Sequence, residues 1–252
     1  MKLTYDKADK ITEAIMSTMT NSLITNKNRE LWELLSSNFN ITIVEKSNVD
    51  YSVFSQGKDV EITVDSNNLC ASSFTHELLH INMRYYECYI GASLKSTINS
   101  DEKLADLMSA ELLEHISNCL DHFKFLPTYL CLGFNSVDFI SDYETNKCTK
   151  KQLNAITKTY KIAHKINSHA VDPFIGILVA MITDPNPKFN YSKKFEQFEK
   201  IDSKLYNCVL NLFKDWEKVK IESSDIFEND YHEVVHLFRD ALEEWYESSS
   251  FH

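Results

Sequence analysis

Apolar residues recur along most of the chain at the three- and four-residue spacing of amphipathic helices. The first such stretch covers about 6–37 and predicts helix. Two short segments differ from it: 41–44 is a run of β-branched residues, and 60–64 alternates between apolar and polar positions. Both patterns are typical of strands. The polar turn at 65–68 can cap a helix that follows it.

Further along, helix-period patterns dominate. The sequence predicts a helix over about 70–90, with Gly91 well placed to end it, and another from about Asp101 to Phe123. From residue 150 onward the prediction is almost wholly helical, with stretches at 150–167, 172–183, 193–219 and 224–247. With only 4 Gly and 4 Pro in 252 residues, an all-β fold with many turns is disfavoured. We therefore expect a predominantly helical α+β fold, with a core over 1–145 and a helical region over 146–252.

Charge and composition indicate which classes of binding partner are disfavoured. The formal net charge is −11, and no basic stripe with interleaved aromatics occurs, so no nucleic-acid partner is predicted. The first ten residues lack the apolar core of a signal peptide, and the longest apolar run, 174–183, is about half a membrane span. The six cysteines form no CxxC pair. We expect reduced thiols in a cytoplasmic protein without membrane association, and the oligomeric state stays open.

The main candidate for a catalytic or metal-binding site is an HExxH motif, His76-Glu77-Leu78-Leu79-His80. Two histidines four apart on a helix project from one face, so both rings can reach a single metal ion. A glutamate directly after the first histidine can take a proton from water at that ion, which is the general-base role in metallopeptidases. His76 and His80 are thus candidate ligands and Glu77 a candidate catalytic residue.

A catalytic zinc needs a third protein ligand and an open position. The predicted helix that begins near Asp101 offers Glu102, and Asp106 lies four residues later on the same face. Asp106 could then accept a hydrogen bond from His76 and fix its tautomer. The plain alternatives are that Asp101 and Glu102 complement a helix N-terminus and that Asp106 is a solvated charge. Glu111 is the main rival to Glu102 as third ligand.

The spacing HELLH followed by Glu102-Lys103-Leu104-Ala105-Asp106 resembles the glutamate-zincin pattern of thermolysin-like enzymes. The longer run from Glu102 to Leu113 is similar to the ImmA/IrrE family of metallo-endopeptidases, although Leu79 stands where that family usually has glycine. The resemblance covers about residues 40–115. It implies one zinc per chain held by His76, His80 and Glu102, with Asp106 behind the ligands. It also implies a strand at 60–64 that could pair with an extended substrate.

The expected function is therefore zinc-dependent hydrolysis of a peptide bond, with Glu77 assisting the attack of water. The resemblance implies cleavage of a specific regulatory protein rather than of bulk peptide. The alternative is a catalytically silent, zinc-stabilised module of the same fold that binds another protein. The donor for the tetrahedral oxyanion stays open among Tyr143, Tyr160, His164 and His169.

A second HExxH occurs at His232-Glu233-Val234-Val235-His236. Only 16 residues follow it, too few for a third ligand at the usual downstream distance. An amphipathic stripe runs along the same helix, so a core or surface helix is the better interpretation. One turn apart on another helix, His115 and Cys119 could bind metal in principle, with His122 a further turn along. A packed helix explains these three residues better.

Overall fold

The computed structural model describes residues 22–223 and 227–252. These residues form a predominantly helical α+β fold with one three-stranded sheet and one short hairpin, as the sequence predicts. The elements, in chain order, are α1 (Arg29–Asn38), β1 (Asn40–Lys46), β2 (Ser52–Gln56), β3 (Asp59–Asp65), α2 (Ala71–Tyr85), α3 (Ile90–Asn99), α4 (Glu102–Leu107), α5 (Ala110–Cys131), α6 (Lys150–Thr159), β4 (Lys161–Ile162), β5 (Lys165–Ile166), α7 (Val171–Ile182), α8 (Ser192–Ile201), α9 (Ser203–Lys218) and α10 (Tyr231–Glu247).

The chain divides into two compact units. The first comprises the described residues up to Tyr85 together with Leu126–Ser141, and the second comprises Tyr86–Phe125 and Asp142–His252. Helix α5 runs without interruption through residues assigned to both units. The predicted domain boundary at residue 145 stays a prediction.

The sheet of the first unit has the strand order β1-β3-β2. Strand β1 pairs with β3 in parallel, and β2 pairs with β3 as an antiparallel hairpin whose turn contains Gly57 at φ +60°. The predicted strands at 41–44 and 60–64 are confirmed within β1 and β3, whereas β2 was not predicted. Because β3 is hydrogen-bonded on both sides, the expectation that 60–64 could pair with an extended substrate is wrong.

Helix α2 packs against this sheet through one face. Phe74, Leu78 and Ile81, spaced three and four residues apart, are fully buried in one cluster with Val60, Ile62 and Val64 of β3. Complete burial of each such side chain contributes about 1.5–3 kcal/mol relative to exposure. This packing fixes which face of α2 points away from the sheet.

Helix α2 ends earlier than the sequence predicts. Its last residue is Tyr85, and Glu87 at φ +55° turns the backbone into the left-handed region. Gly91 does not end α2; it lies inside α3, where an added Cβ would stand 2.8 Å from Cβ of Ser117 in α5. The glycine allows the two helices to approach closely.

The helix expected from Asp101 to Phe123 is two helices. The Asp101 side chain accepts a hydrogen bond from the Leu104 N–H and caps α4, which ends at Leu107. The Asp172 carboxylate then accepts the Ser109 N–H at 3.2 Å, just before α5 begins. The break shortens the predicted glutamate helix to six residues.

The second unit is built on helices around buried aromatic residues. Asp202 connects two of these aromatic residues. Its carboxylate accepts hydrogen bonds from Tyr160 Oη at 2.9 Å and from Trp245 Nε1 at 3.0 Å. It also caps α9 by accepting a hydrogen bond from the Leu205 N–H. The helix expected over 150–167 ends at Thr159, because the β4–β5 hairpin follows, with Ala163 and His164 at positive φ.

Helices of membrane-spanning length and apolarity are absent from the described parts of the chain. All six cysteines are free thiols, four of them buried.

Candidate metal centre

The HExxH motif lies in the middle of α2, on the side away from the sheet. Because Phe74, Leu78 and Ile81 occupy the core face, helical geometry turns His76 and His80 to the opposite face. Their ring centroids are 5.2 Å apart with an interplanar angle of 61°. The two imidazoles are therefore neighbours, as the motif predicts.

The His76 ring is held by the segment that follows α5. The Phe139 ring lies 4.9 Å from the His76 ring, and Tyr129 of α5 packs edge-on against Phe139 at 5.0 Å. The Tyr129 hydroxyl donates to the Asp138 backbone oxygen at 3.2 Å. Burial, together with the nearby His80, lowers the pKa of His76 to about 3, and a hydrogen bond to the Phe139 backbone partly opposes this shift. His76 is therefore neutral at physiological pH, the form that binds metal.

A third histidine joins the pair. His122 lies on α5 seven residues before Tyr129, on the same face of that helix. Each side chain of His76, His80 and His122 offers one ligand atom, and these three atoms lie within 4.8 Å of one another. All three side chains are partly buried. No other group of three or more metal-ligating side chains meets this spacing within residues 22–223 and 227–252. These three histidines could hold a metal ion.

The donor set fits a transition metal. Imidazole nitrogens suit Zn²⁺, and three protein ligands would leave a fourth position for water or substrate. The donor chemistry of the three side chains, and the grouping of their ligand atoms within 4.8 Å, therefore fit such an ion.

Glu77 is buried beside the pair. Its exposed fraction is 8%, and burial raises the pKa of its carboxyl, while His80 acts in the opposite direction. Burial therefore makes the Glu77 carboxylate a stronger proton acceptor than an exposed glutamate.

The structure does not bring Glu102 or Asp106 into this group. Both are exposed on α4, where Glu102 occupies the first turn behind the Asp101 cap. For Glu102 this agrees with the plain alternative of an acidic group that complements a helix N-terminus, and for Asp106 it agrees with a solvated charge. The rival Glu111 is exposed as well, in the first turn of α5.

The remaining histidine candidates serve other contacts. His115 Nε2 lies 3.1 Å from the Gly176 backbone oxygen, and the Cys119 thiol, its pKa raised by burial to about 11, lies against the same ring. His232 and His236 of the second motif are exposed on α10, whose buried stripe consists of Val234, Val235, Phe238, Leu242 and Trp245. The amphipathic helix predicted over 224–247 is confirmed from Tyr231 to Glu247, and residues 224–226 lie outside the described part of the chain.

Among the oxyanion candidates, the Tyr160 hydroxyl donates to Asp202 in the second unit, and Tyr143 is buried. His164 and His169 are both exposed. None of these four belongs to the group of three histidines.

Sequence reasoning noticed His122 but assigned it to packing. The one available signal was its place on the face of α5 shared with His115 and Cys119. Forty-one residues separate it from His80, so no local spacing rule connects the two histidines. Comparison of the chain with family models, with curated proteins and with solved structures finds no match in any of the three.

Proposed function

We propose that this chain is a zinc-dependent metallopeptidase in which His76, His80 and His122 hold the ion and Glu77 is the general base. The observation that carries the proposal is the convergence of the three imidazoles beside a buried glutamate. This ligand set differs from the one implied by the ImmA/IrrE resemblance, since His122 takes the place of Glu102.

The donor atoms and the acid-base group complement each other. A divalent ion held by three histidines supplies Lewis acidity, which polarises a peptide carbonyl and makes water a better nucleophile near neutral pH. The chain itself must then position that water, move its proton and support the ligands.

Glu77 handles the proton. Its carboxylate accepts a proton as a water oxygen bonds to the carbonyl carbon, and it delivers that proton to the leaving nitrogen as the C–N bond breaks. The burial that raises the pKa of the Glu77 carboxyl makes its carboxylate a stronger base, which favours the first of these transfers. The same burial excludes bulk water from competing for the proton.

The surroundings of His76 support the ligand role. A histidine ligand is usually oriented by a hydrogen bond from its other ring nitrogen to a carboxylate or a backbone carbonyl. The hydrogen bond between His76 and the Phe139 backbone fills the place proposed for Asp106. Tyr129, packed on the Phe139 ring, keeps that segment against His76.

Two measurements test the proposal. The first is zinc per chain by elemental analysis after dialysis, for the wild type and for His80→Ala: about one tightly bound ion is expected in the wild type, and none in the variant. The second is cleavage of a mixed peptide library by the zinc-loaded full chain, followed by mass spectrometry. Glu77→Gln should keep the zinc and lose the cleavage, whereas Glu61→Gln, an exposed glutamate on β3, should keep both.

The outcomes separate the candidate functions. Zinc without any cleavage that depends on Glu77 favours the catalytically silent, zinc-stabilised binding module. Absence of zinc from wild-type protein refolded with zinc overturns the metal site and the peptidase together.

A further inference from the structure

The second HExxH motif has a geometry of its own. His232 and His236 lie in the first two turns of α10, and both are exposed. Residues four apart on a helix have side chains one turn apart on one face, so both rings can reach one ion from outside the helix. The buried stripe of α10 runs through Val234, Val235 and Phe238, which leaves the two histidines on the solvent side.

One of the two rings is already oriented. His232 Nδ1 lies 3.0 Å from Ser93 Oγ of α3, and its ring lies against the Tyr231 ring with centroids 4.2 Å apart. In the tautomer whose Nδ1 donates to the serine oxygen, the Nε2 lone pair points away from Ser93 and can bind a metal ion. This is the arrangement that orients histidine ligands in metal sites, where the second nitrogen is held by a hydrogen bond.

The local charge favours a cation despite the position in the helix. The positive end of the α10 dipole opposes a cation weakly. The Asp230 carboxylate already accepts the backbone N–H groups of His232 and Glu233, which offsets part of that field. The exposed Glu233, directly after His232 in the chain, adds a second negative charge near this end of α10.

We propose that His232 and His236 form a second, solvent-exposed metal site that binds a divalent transition-metal ion through two imidazoles. With two protein ligands and water in the remaining positions, this site binds more weakly than a three-histidine centre and exchanges its ion with solvent. Imidazole sites follow the Irving–Williams order, so Cu²⁺ is the ion it holds best. It is independent of the proposed peptidase centre and shares no residue with it.

The test is a Cu²⁺ titration of the full chain, followed by calorimetry and by the d–d absorption of bound copper. Four proteins are compared: wild type, His232→Ala/His236→Ala, His76→Ala/His80→Ala, and a control with His164→Ala/His169→Ala. The control removes two other exposed histidines, spaced five apart and outside any α-helix. Circular dichroism checks that each variant is folded.

The α10 double variant should lose one bound Cu²⁺ per chain. The control and His76→Ala/His80→Ala should both keep the site. Unchanged Cu²⁺ binding in the α10 double variant, or an equal loss in the control, overturns the proposal. The result differs if the three-histidine centre binds no metal. Wild type then binds one Cu²⁺ ion, which is lost in His232→Ala/His236→Ala and kept in His76→Ala/His80→Ala.

Discussion

Asn28 Nδ2 donates a hydrogen bond to Thr75 Oγ1 at 2.8 Å, linking the start of α1 to the residue directly before His76. Both residues are fully buried. The same amide nitrogen donates to the Leu23 backbone oxygen at 2.9 Å, and the amide oxygen accepts the Thr25 N–H at 2.7 Å. Thr75 Oγ1 in turn donates to the Ala71 backbone oxygen. These hydrogen bonds pair the polar atoms of both buried side chains and fix the position of α2.

Replacement of Asn28 should therefore destabilise the first unit. Asn28→Ala leaves several buried polar groups without their partner, and we expect the free energy of unfolding to fall by about 2–4 kcal/mol. The measurement is urea denaturation. The control is Asn38→Ala, because Asn38 is exposed and makes a single hydrogen bond, to the Leu34 backbone oxygen. Equal effects of the two substitutions would show that the Asn28–Thr75 link does not support the helix.

The identity of the third ligand gives a second prediction. His122→Ala should lower zinc affinity by at least 100-fold, because even residues that only support ligands contribute about 10- to 100-fold. Glu102→Gln should leave the affinity unchanged, since Glu102 is exposed on α4 and outside the histidine group. Competition with a chromophoric chelator measures both affinities.

His115→Ala is the matched control for His122→Ala, because it removes a histidine from the same helix two turns earlier. It should retain the affinity of the wild type. The reverse pattern, with zinc lost from Glu102→Gln and kept by His122→Ala, would restore the ligand set implied by the family resemblance.

Local patterns in the sequence predicted those parts of the fold that depend on local periodicity. The alternation at 60–64 and the β-branched run at 41–44 predicted β3 and β1, and helix-period residues predicted α2. Strand β2 was missed because it lies at the edge of the sheet, and Phe54, one of its two large apolar residues, is 70% exposed. A strand with so little burial has little hydrophobic patterning.

The sequence could predict only those residues of the site that lie on one helix. His76, Glu77 and His80 follow from a spacing of four residues, which helical geometry converts directly into proximity. His122 lies on another helix, 42 positions after His80, so no local spacing rule connects it with the motif. The choice of Glu102 rested on chain spacing, and the break between α4 and α5 was not visible in the sequence.

Close approach of α3 and α5 leads to a third prediction. Gly91→Ala would place a Cβ 2.8 Å from the Ser117 Cβ, closer than such atoms approach in real structures. We expect a loss of about 1–3 kcal/mol in the free energy of unfolding, despite the better helix propensity of alanine. In a Ser117→Gly background the same substitution should be neutral or stabilising, since the opposing Cβ is gone. A double-mutant cycle in urea measures this coupling, and a coupling near zero would contradict the contact.

The low pKa of His76 predicts how stability depends on pH. Its pKa is about 3 in the folded protein, against 6.5 for the ordinary side chain, because burial and His80 disfavour the charged ring. Between these values the unfolded chain binds more protons than the folded one, so stability falls as pH decreases from 6.5 towards 3. From pH 7 to pH 4, protonation linked to His76 alone should lower the free energy of unfolding of the metal-free protein by about 3 kcal/mol.

The measurement is urea denaturation at several pH values in the presence of a chelator. The free energy of unfolding should depend less steeply on pH in His76→Gln than in the wild type. His169→Gln, which changes an exposed histidine, should keep the wild-type slope. Identical slopes in wild type and His76→Gln would mean that His76 is not held neutral in the folded chain.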